Sequence, residues 1–186
     1  MRRAIDVIVA LSVLLLMSPA LLVIAILVKA TSKGPVLYWS DRIGQGNRVF
    51  SMPKFRTMLI HTPVVATHLL NEPQRHLTPI GAFLRKYSLD ELPQLASIIK
   101  GDVTLVGPRP ALYNQEDLIR LRTEHGVHQL VPGLTGWAQV NGRDTLTISR
   151  KVQFDRDYLH QRTVLFDLKI LLLTFVKVVR GDGVRH

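Results

Sequence analysis

Apolar residues are concentrated near the amino terminus of the chain. The stretch from Val7 to Val28 is interrupted only by Ser12, Ser18 and Pro19. As a helix rising about 1.5 Å per residue, it is long enough to cross the roughly 30 Å hydrocarbon core of a bilayer. The pattern therefore predicts a membrane segment.

An apolar stretch at this place could also be a secretory signal or a buried helix of a soluble core. Arg2 and Arg3 before it are typical of a signal, but the stretch is long for one and no small-residue cleavage site follows Val28. A buried core helix is normally shorter and accompanied by other large apolar segments. The membrane segment is the favoured interpretation.

The topology of this segment depends on its proline and its flanking charges. Pro19 removes a backbone donor and clashes with the preceding turn, so we expect a kink there. Cations flank both ends of the segment: Arg2 and Arg3 before it, and Lys29 and Lys33 after it. Because Lys and Arg next to membrane segments are enriched on the cytoplasmic side, both ends are expected to face the cytoplasm. Although transmembrane helices also tolerate proline, these features favour a re-entrant helix over a single span.

Short elements replace the long apolar pattern after Lys33. Apolar residues on both sides of Gly44-Gln45-Gly46-Asn47 predict a β-hairpin. No G-x-G-x-x-G or Walker pattern accompanies these glycines, so a turn is preferred over a phosphate site. Residues 59–77 are polar and irregular, and we expect solvated loop histidines at His61, His68 and His76 because their spacing does not suit a metal site.

Two short helices are predicted beyond this loop. Thr78, followed by proline, is typical of a helix start, and that helix is expected to end near Lys86. Ser88-Leu89-Asp90-Glu91 has the spacing of a capping box, which predicts a second helix that ends at Gly101.

Asp90 and Glu91 are the candidate catalytic residues. At a helix amino terminus, free amides and the helix dipole favour a carboxylate or a phosphate. Acidic residues also suit the first turn of any helix, so spacing alone leaves a structural role open. Adjacent titratable groups are nevertheless common at functional sites.

Several cations around the acidic pair suggest an anionic ligand. Arginine is suited to bidentate phosphate contacts. Arg109 is held between Pro108 and Pro110, which limits the entropy lost when its side chain is ordered, although the same sequence also suits a simple rigid turn. The candidates are Lys54, Arg56, Arg85, Lys86 and Arg109.

A second polar cluster covers residues 132–143. It combines tight turns with the amides of Gln139 and Asn141, the guanidinium of Arg143 and the indole of Trp137. Such groups suit a nucleotide or a sugar, and a buried structural turn accounts for them equally well.

The carboxyl-terminal segment from Asp167 to Arg180 is amphipathic. At about 100° per residue, Lys169, Lys177 and Arg180 share one narrow sector and apolar residues cover the rest. This pattern predicts a helix that lies in a membrane interface, with a soluble core helix as the alternative.

Composition narrows the function classes. A length of 186 residues excludes two large domains. A content of 47% hydrophobic residues and a mean hydropathy of +0.17 exclude a disordered basic tail, because such tails lack the apolar residues needed to fold. The absence of cysteine excludes a disulfide framework, a thiolate zinc site and a cysteine nucleophile. A net charge of +10 would also suit a nucleic-acid binder, but such a protein is usually less apolar. Anionic lipid headgroups and phosphate substrates are therefore the expected partners, and no nucleic-acid partner is expected.

The motifs taken together resemble the bacterial sugar transferase family, small monotopic phosphoglycosyl transferases. The resemblance covers nearly the whole chain. It is carried by Arg3-Ala4-Ile5-Asp6, Ser18-Pro19, Lys54-Phe55-Arg56-Thr57-Met58, residues 88–95, residues 101–110, residues 132–143, and Asp155, Tyr158, Asp167 and Thr174.

The resemblance implies an α+β, mainly helical fold with a re-entrant membrane helix over residues 1–33 and a catalytic domain over residues 34–186. It implies transfer of a sugar 1-phosphate from a UDP-sugar to polyprenol (undecaprenyl) phosphate at the cytoplasmic face of the bacterial inner membrane. Asp90 would attack the β-phosphate and ligate Mg²⁺, and Glu91 would act as a base or assist the metal. The substrate-binding residues implied are Lys54, Arg56, Arg85, Arg109, Gln139, Asn141 and Arg143.

Two rival hypotheses stay open at the level of the sequence. A basic membrane-surface adaptor without catalysis would keep the apolar segment and the cationic faces but need neither Asp90 nor Arg109. An enzyme that transfers the sugar phosphate in one step would form no covalent intermediate. The sequence identifies neither the sugar nor the glycoconjugate pathway nor the oligomeric state.

Overall fold

The computed structural model describes residues 2–63, 72–142 and 145–180. Within these ranges the chain is mainly helical with a small antiparallel hairpin, which confirms the expected α+β class. His68 and Arg143 lie outside the described residues, as does the side chain of Arg180.

The described residues form α-helices and short β-strands. The helices are α1 (Arg2–Thr31), α2 (Gly81–Lys86), α3 (Leu95–Lys100), α4 (Glu116–Glu124), α5 (Trp137–Val140), α6 (Ile148–Gln161) and α7 (Val164–Arg180). The strands are β1 (Leu37–Ile43), β2 (Val49–Phe55), β3 (Thr104–Val106) and β4 (Gly133–Thr135). β1 pairs with β2 antiparallel, and β3 pairs with β4 parallel.

Helix α1 is long and apolar enough to cross a membrane, and most of its apolar surface is exposed. Only 11% of its most apolar 18-residue window is buried, so a buried helix of a soluble core does not describe it. Leu15 and Leu16, close to Pro19, are each 78% exposed. The helix continues through Pro19 without a break, and the kink expected there stays a prediction.

Both halves of α1 pack on the rest of the protein. In its first half, Ala10 is fully buried in the main core with Ile98 of α3 and Ile170 of α7. In its second half, Val28 joins a smaller cluster that includes Phe55 of β2. The middle of α1 is therefore exposed while both of its ends are attached to the same body.

Polar contacts reinforce the attachment of the first turns of α1. Arg3 donates to the backbone carbonyls at the end of α3, with Nη2 2.9 Å from Ile99 O. The carboxylate of Asp6, only 8% exposed, accepts a hydrogen bond from the hydroxyl of Thr104. The sequence Arg3-Ala4-Ile5-Asp6 thus joins α1 to α3 and β3.

Strand register places one polar face of the hairpin toward the body. Tyr38 lies opposite Lys54, and Ser40 lies opposite Met52. Ser40 is 3% exposed, whereas its neighbours Trp39 and Asp41 are exposed. Because side chains alternate between the faces of a strand, Tyr38, Ser40 and Arg42 share the inward face.

The predicted starts of the two short helices are wrong. Thr78 is not an N-cap, because its amide pairs with Thr57 O in an extended segment and α2 begins only at Gly81. The capping box at Ser88 is also wrong, since Ser88 adopts a left-handed φ of 54° and its side chain makes no cap hydrogen bond. The segment starts instead as a 3₁₀ helix, Leu89–Gln94, and α3 follows and ends as expected at Gly101, whose φ is 103°.

Glycines allow an unusually close packing of β4 against the turn after β3. A Cβ at Gly133 would lie 2.0 Å from the amide nitrogen of Gly107, and one at Gly136 would lie 2.0 Å from Gly107 O. Gly107 in turn donates to Thr135 O at 2.8 Å. The cluster at residues 132–143 therefore contains a buried structural turn, one of the two interpretations that its sequence allowed.

Helix α7 has the amphipathic character expected of it. Ile170 is fully buried, and the opposite face is apolar and exposed. Lys169 lies 5.5 Å above the ring of Trp137, so this cation packs on the protein. The exposed apolar residues are Val164, Leu165, Leu168, Leu172, Phe175, Val176 and Val178.

Candidate active site

Asp90 lies in the 3₁₀ helix Leu89–Gln94, which packs against strand β2. Its side chain is 6% exposed, and it is among the few buried carboxylates of the described residues. Pro93 lies within the same short helix and limits its backbone. The local sequence thus holds one carboxyl group in a buried position, which is unusual unless other groups compensate its charge.

The surroundings of Asp90 act on its ionisation in both directions. Burial and, after it, the adjacent charge of Glu91 raise the pKa of Asp90 from 3.8 to about 6, although Lys54, Arg85 and Arg109 oppose this rise. A pKa set by such competing influences is typical of functional sites. The structure therefore brings four of the predicted site residues together around the carboxyl group of a fifth, Asp90.

Glu91 and Arg109 form an ion pair beside Asp90. Nη2 of Arg109 lies 2.5 Å from Oε1 of Glu91, and Nη1 lies 3.4 Å from Oε2. Both side chains are partly accessible, at 18% for Glu91 and 26% for Arg109. This geometry orients the guanidinium in the way bidentate carboxylate recognition requires.

Lys54 reaches the site from β2. Burial lowers the pKa of Lys54 to about 8, against the opposing influence of the Asp90 charge. Its ammonium nitrogen lies 5.4 Å above the ring of Tyr38, the residue opposite it in the hairpin. The motif Lys54-Phe55-Arg56 therefore contributes its first residue to the site.

Arg56 has a different environment. It is 4% exposed, and its guanidinium donates to carbonyls of the segment after α1, including Pro35 O at 2.7 Å and Ser32 O at 3.0 Å. Lys54 lies within β2 and Arg56 just beyond its end, so the two side chains meet different neighbours. Arg56 thus holds the connection from α1 to the hairpin, and its role as a substrate ligand stays a prediction.

The amide residues of the predicted nucleotide cluster are engaged locally. The amide nitrogen of Asn141 donates to Trp137 O at 2.8 Å, and that of Gln139 lies 3.4 Å from Leu134 O. The side-chain oxygen of Gln139 is buried without a hydrogen-bond partner among the described residues. Neither residue is among the groups that influence Asp90, so their substrate roles also stay predictions, as does that of Arg143.

Sequence reasoning missed Arg42. It lies on the inward face of β1, and its Nη1 donates to Pro110 O at 3.2 Å, directly after Arg109. Burial and, to a smaller degree, the charge of Arg109 lower the pKa of Arg42 to about 10. The signal was present in the polar alternation Tyr38, Ser40, Arg42, which marks a strand face turned toward a polar site.

A buried ion pair supports the loop of Arg109 from behind. Arg122 of α4 donates to Asp155 of α6 at 2.7 and 2.9 Å, and both side chains are buried. The same guanidinium donates to Arg109 O at 2.8 Å. Asp155 therefore belongs to the framework of the site, which accounts for its place among the motif residues.

A divalent metal has few protein ligands here. Among the described residues, no three His, Asp or Glu side chains are grouped so as to hold a metal ion. Mg²⁺ usually binds through one or two carboxylates together with substrate phosphates and water. Asp90 can supply one such carboxylate, and because Lys54, Arg85 and Arg109 around it repel a cation, a metal ion there would depend on the negative charge of substrate phosphates.

The fold and the site together describe a protein with an exposed apolar amino-terminal helix and a buried carboxyl group surrounded by cations. The chain belongs to the bacterial sugar transferase family, whose family model matches residues 1–181. This match confirms the resemblance inferred from the motifs.

Relatives with assigned names point in the same direction. The chain is 39% identical to UDP-glucose:undecaprenyl-phosphate glucose-1-phosphate transferase of Escherichia coli K12, over 95% of this chain and 40% of that protein. It is 37% identical to the uncharacterized sugar transferase EpsL of Bacillus subtilis, over 100% of this chain and 91% of that protein. It is 38% identical to the exopolysaccharide production protein ExoY of Rhizobium meliloti, over 98% of this chain and 87% of that protein. The chain thus spans about two fifths of the first of these relatives and most of the other two.

Proposed function

We propose that this protein transfers a sugar 1-phosphate from a UDP-sugar to polyprenol phosphate, with Asp90 as the nucleophile. The observation that carries the proposal is the buried carboxyl group of Asp90 among Lys54, Arg85 and Arg109. A carboxylate that must approach a diphosphate needs such cations, because the two anions otherwise repel each other. The names of the relatives support the substrate class.

In the first step an oxygen of Asp90 attacks the β-phosphorus of the UDP-sugar. The bond between that phosphorus and the bridging oxygen breaks, UMP leaves, and the sugar phosphate remains on the carboxylate as an acyl phosphate. Dividing one transfer into two displacements is ordinary covalent catalysis. Arg109, oriented by Glu91, would neutralise charge on the transferred group.

In the second step a phosphate oxygen of polyprenol phosphate attacks the same phosphorus. The aspartyl oxygen–phosphorus bond breaks, which releases polyprenol diphosphate sugar and restores the Asp90 carboxylate. Lys54 and Arg85 stay beside that carboxylate throughout and favour its ionised form.

We propose Mg²⁺ as the cofactor, held by Asp90 and by substrate oxygens. When bound, it would supply positive charge to the diphosphate as a hard cation suited to oxygen ligands. Glu91 is bonded to Arg109, which favours orientation of that arginine over a primary role in metal binding.

The attachments of α1 support a re-entrant topology. Its first turns contact α3 and β3, its last turns contact β2, and its middle is exposed. A helix whose two ends are held by one body enters and leaves the bilayer on the same side. We therefore propose a re-entrant α1, with the catalytic domain and the exposed apolar face of α7 at the cytoplasmic surface of the inner membrane.

The experiment is a UMP-release assay on the purified full chain with UDP-glucose, undecaprenyl phosphate and Mg²⁺. The wild type should release UMP, and Asp90→Asn should not. Asp117→Asn is the matched control, since Asp117 is a surface carboxylate of α4 with 76% exposure. Absence of UMP release across a panel of UDP-sugars would support the adaptor hypothesis.

Intact-mass measurement separates the two-step from the one-step mechanism. Wild-type protein incubated with UDP-sugar alone should gain the mass of one sugar phosphate, and Asp90→Asn should not gain it. A protein that turns over with both substrates, yet neither forms this adduct nor exchanges labelled UMP into UDP-sugar, would be a one-step enzyme.

A further inference from the structure

Arg42 and Arg109 approach the same place from two different parts of the fold. Nε of Arg42 donates to the Ser40 hydroxyl at 2.9 Å, and its Nη1 donates to Pro110 O at 3.2 Å. The segment after Arg109 continues along β1, where the amide of Ile43 donates to Ala111 O at 2.9 Å. The guanidinium of Arg42 is thereby fixed beside the loop that carries Arg109.

The positive charges at this place exceed the negative ones. Glu91 is the carboxylate that acts on Arg42, and it is already paired with Arg109. Among the described residues, Nη2 of Arg42 meets no hydrogen-bond acceptor. Two partly buried guanidinium groups that share one carboxylate repel each other, and an anionic ligand relieves that repulsion.

The cations are also ordered with respect to Asp90. Lys54, Arg85 and Arg109 act on Asp90 directly, whereas Arg42 interacts with Lys54, Arg109 and Glu91 and is not among the groups that act on Asp90. Its hydrogen bond to Pro110 O places Arg42 at the edge of the cluster, next to the loop of Arg109, which is itself paired with Glu91. In a diphosphate whose β-phosphorus faces Asp90, the phosphate on the nucleoside side extends away from that carboxylate.

We infer that Arg42 binds the nucleoside-side phosphate of the substrate, the group that departs as UMP. This inference rests on the proposed function and adds a ligand to it. As the bond to the β-phosphorus breaks, negative charge develops on the oxygen that leaves with UMP, and a fixed guanidinium stabilises that charge. Arg42 neither gains nor loses a proton in this step, because arginine stays charged throughout.

The test compares Arg42→Gln with Arg48→Gln in the full chain. Arg48 is an exposed arginine of the same hairpin, so its substitution removes an equal charge away from the site. Loss of a charge-assisted contact should raise the KM for UDP-sugar and the dissociation constant for UMP about tenfold to a hundredfold in Arg42→Gln. The KM for undecaprenyl phosphate should not change, and Arg48→Gln should match the wild type in all three measurements.

Arg42→Lys provides the second variant. Lysine keeps the positive charge but lacks the planar guanidinium group, which can donate to Ser40, to Pro110 O and to the ligand at the same time. We expect it to recover part of the UMP affinity and to fold if Arg42→Gln does not. UMP affinity is measured by calorimetry with UMP alone, which requires no turnover.

Several results would overturn the inference. If UMP affinity and the KM for UDP-sugar stay at wild-type values while the melting temperature falls, Arg42 only braces the loop through Ser40 and Pro110. An equal rise in the KM of both substrates would contradict the assignment to the leaving side. A wild type that binds UMP but never releases it from UDP-sugars would contradict the proposed function, and the calorimetric comparison would still decide the role of Arg42.

Discussion

The guanidinium of Arg122 donates a 2.8 Å hydrogen bond to the backbone carbonyl of Arg109. A residue of α4 therefore fixes the backbone of a residue in the candidate site. Because Arg122 is itself paired with the buried Asp155, the position of Arg109 depends on an ion pair outside the cluster around Asp90.

Asp155→Asn should destabilise the protein and impair catalysis together. Removing one partner of a buried ion pair leaves the other charge uncompensated, which costs about 3–5 kcal/mol. The free energy of unfolding in detergent and kcat/KM for UMP release measure the two effects. Arg109 should lose its position, so we expect kcat/KM to fall even at temperatures where the variant is fully folded.

Asp117→Asn is the control for this prediction. Asp117 and Arg120 form a surface pair three residues apart, with exposures of 76% and 72%, and such pairs contribute about 0–1 kcal/mol. Similar losses of stability in Asp155→Asn and Asp117→Asn would contradict the structural role of the buried pair.

Asp90→Asn should stabilise the magnesium-free protein at neutral pH. The pKa of Asp90 is raised from 3.8 to about 6, so the folded state holds a proton between those values that the unfolded state has released. The contribution of Asp90 to the free energy of unfolding is therefore most favourable below pH 4, and it is lost as the pH rises through 6. Above that pH, burial of ionised Asp90 lowers the free energy of unfolding by about 3 kcal/mol, and an asparagine at this position avoids the loss.

Unfolding curves of the wild type and Asp90→Asn between pH 4 and pH 8 measure this effect. The difference in unfolding free energy should grow from near zero to its full value across the range. Mg²⁺ should reduce the difference at pH 8 if it binds Asp90. A difference that does not vary with pH would show that Asp90 ionises with an ordinary pKa.

Gly133→Ala should disrupt the turn that carries Arg109. Its Cβ would lie 2.0 Å from the backbone of Gly107, where no flexible side chain can give way. We expect a loss of more than about 3 kcal/mol of stability, at the upper end of effects known for single substitutions. Gly46→Ala is the comparison, because the space there is open and only its φ of 63° is unfavourable, which costs about 1–2 kcal/mol.

Thermal unfolding of the two alanine variants tests this prediction. Loss of activity should accompany Gly133→Ala and be absent from folded Gly46→Ala. If the two variants melt at the same temperature, close packing of β4 on the Gly107 turn is not important for stability.

The re-entrant topology can be tested by single-cysteine labelling, because the chain contains no cysteine. Ala4→Cys and Thr31→Cys place exposed thiols near the two ends of α1. In spheroplasts, a membrane-impermeant maleimide should label neither, and both should react after the membrane is opened. Glu124→Cys, on the exposed end of α4, reports on the cytoplasmic side in the same experiment. Labelling of Ala4→Cys from outside intact cells would establish a single span.

The elements that repeat one simple pattern were predictable from the sequence. The apolar stretch of α1, the hairpin around Gly44 and the amphipathic α7 all appear where the pattern placed them. Each of these depends on the chemistry of nearby residues alone. The end of α3 at Gly101 was predictable for the same reason, because helices often end at a residue in the left-handed conformation and glycine adopts that conformation most easily.

Contacts between distant segments were not predictable in this way. The capping-box spacing predicted a hydrogen bond between the side chain of Glu91 and the backbone of Ser88. In the folded protein Glu91 instead pairs with the guanidinium of Arg109, because an ion pair is the stronger interaction. Arg42 was missed because its strand was identified from its apolar residues. Arg56 was grouped with Lys54 by sequence proximity, although neighbouring positions near the end of a strand meet different surroundings.

The attachment of α1 at both ends has a mechanical consequence. A helix that is free at one end adapts to a thinner or thicker bilayer by changing its tilt. Arg3 holds the start of α1 to α3, and Arg56 holds the segment after its end to the hairpin, so α1 cannot tilt without turning the whole protein. In the proposed re-entrant topology, a movement of α1 in the bilayer would therefore turn the catalytic domain with it, and Asp90 would keep its position relative to α1.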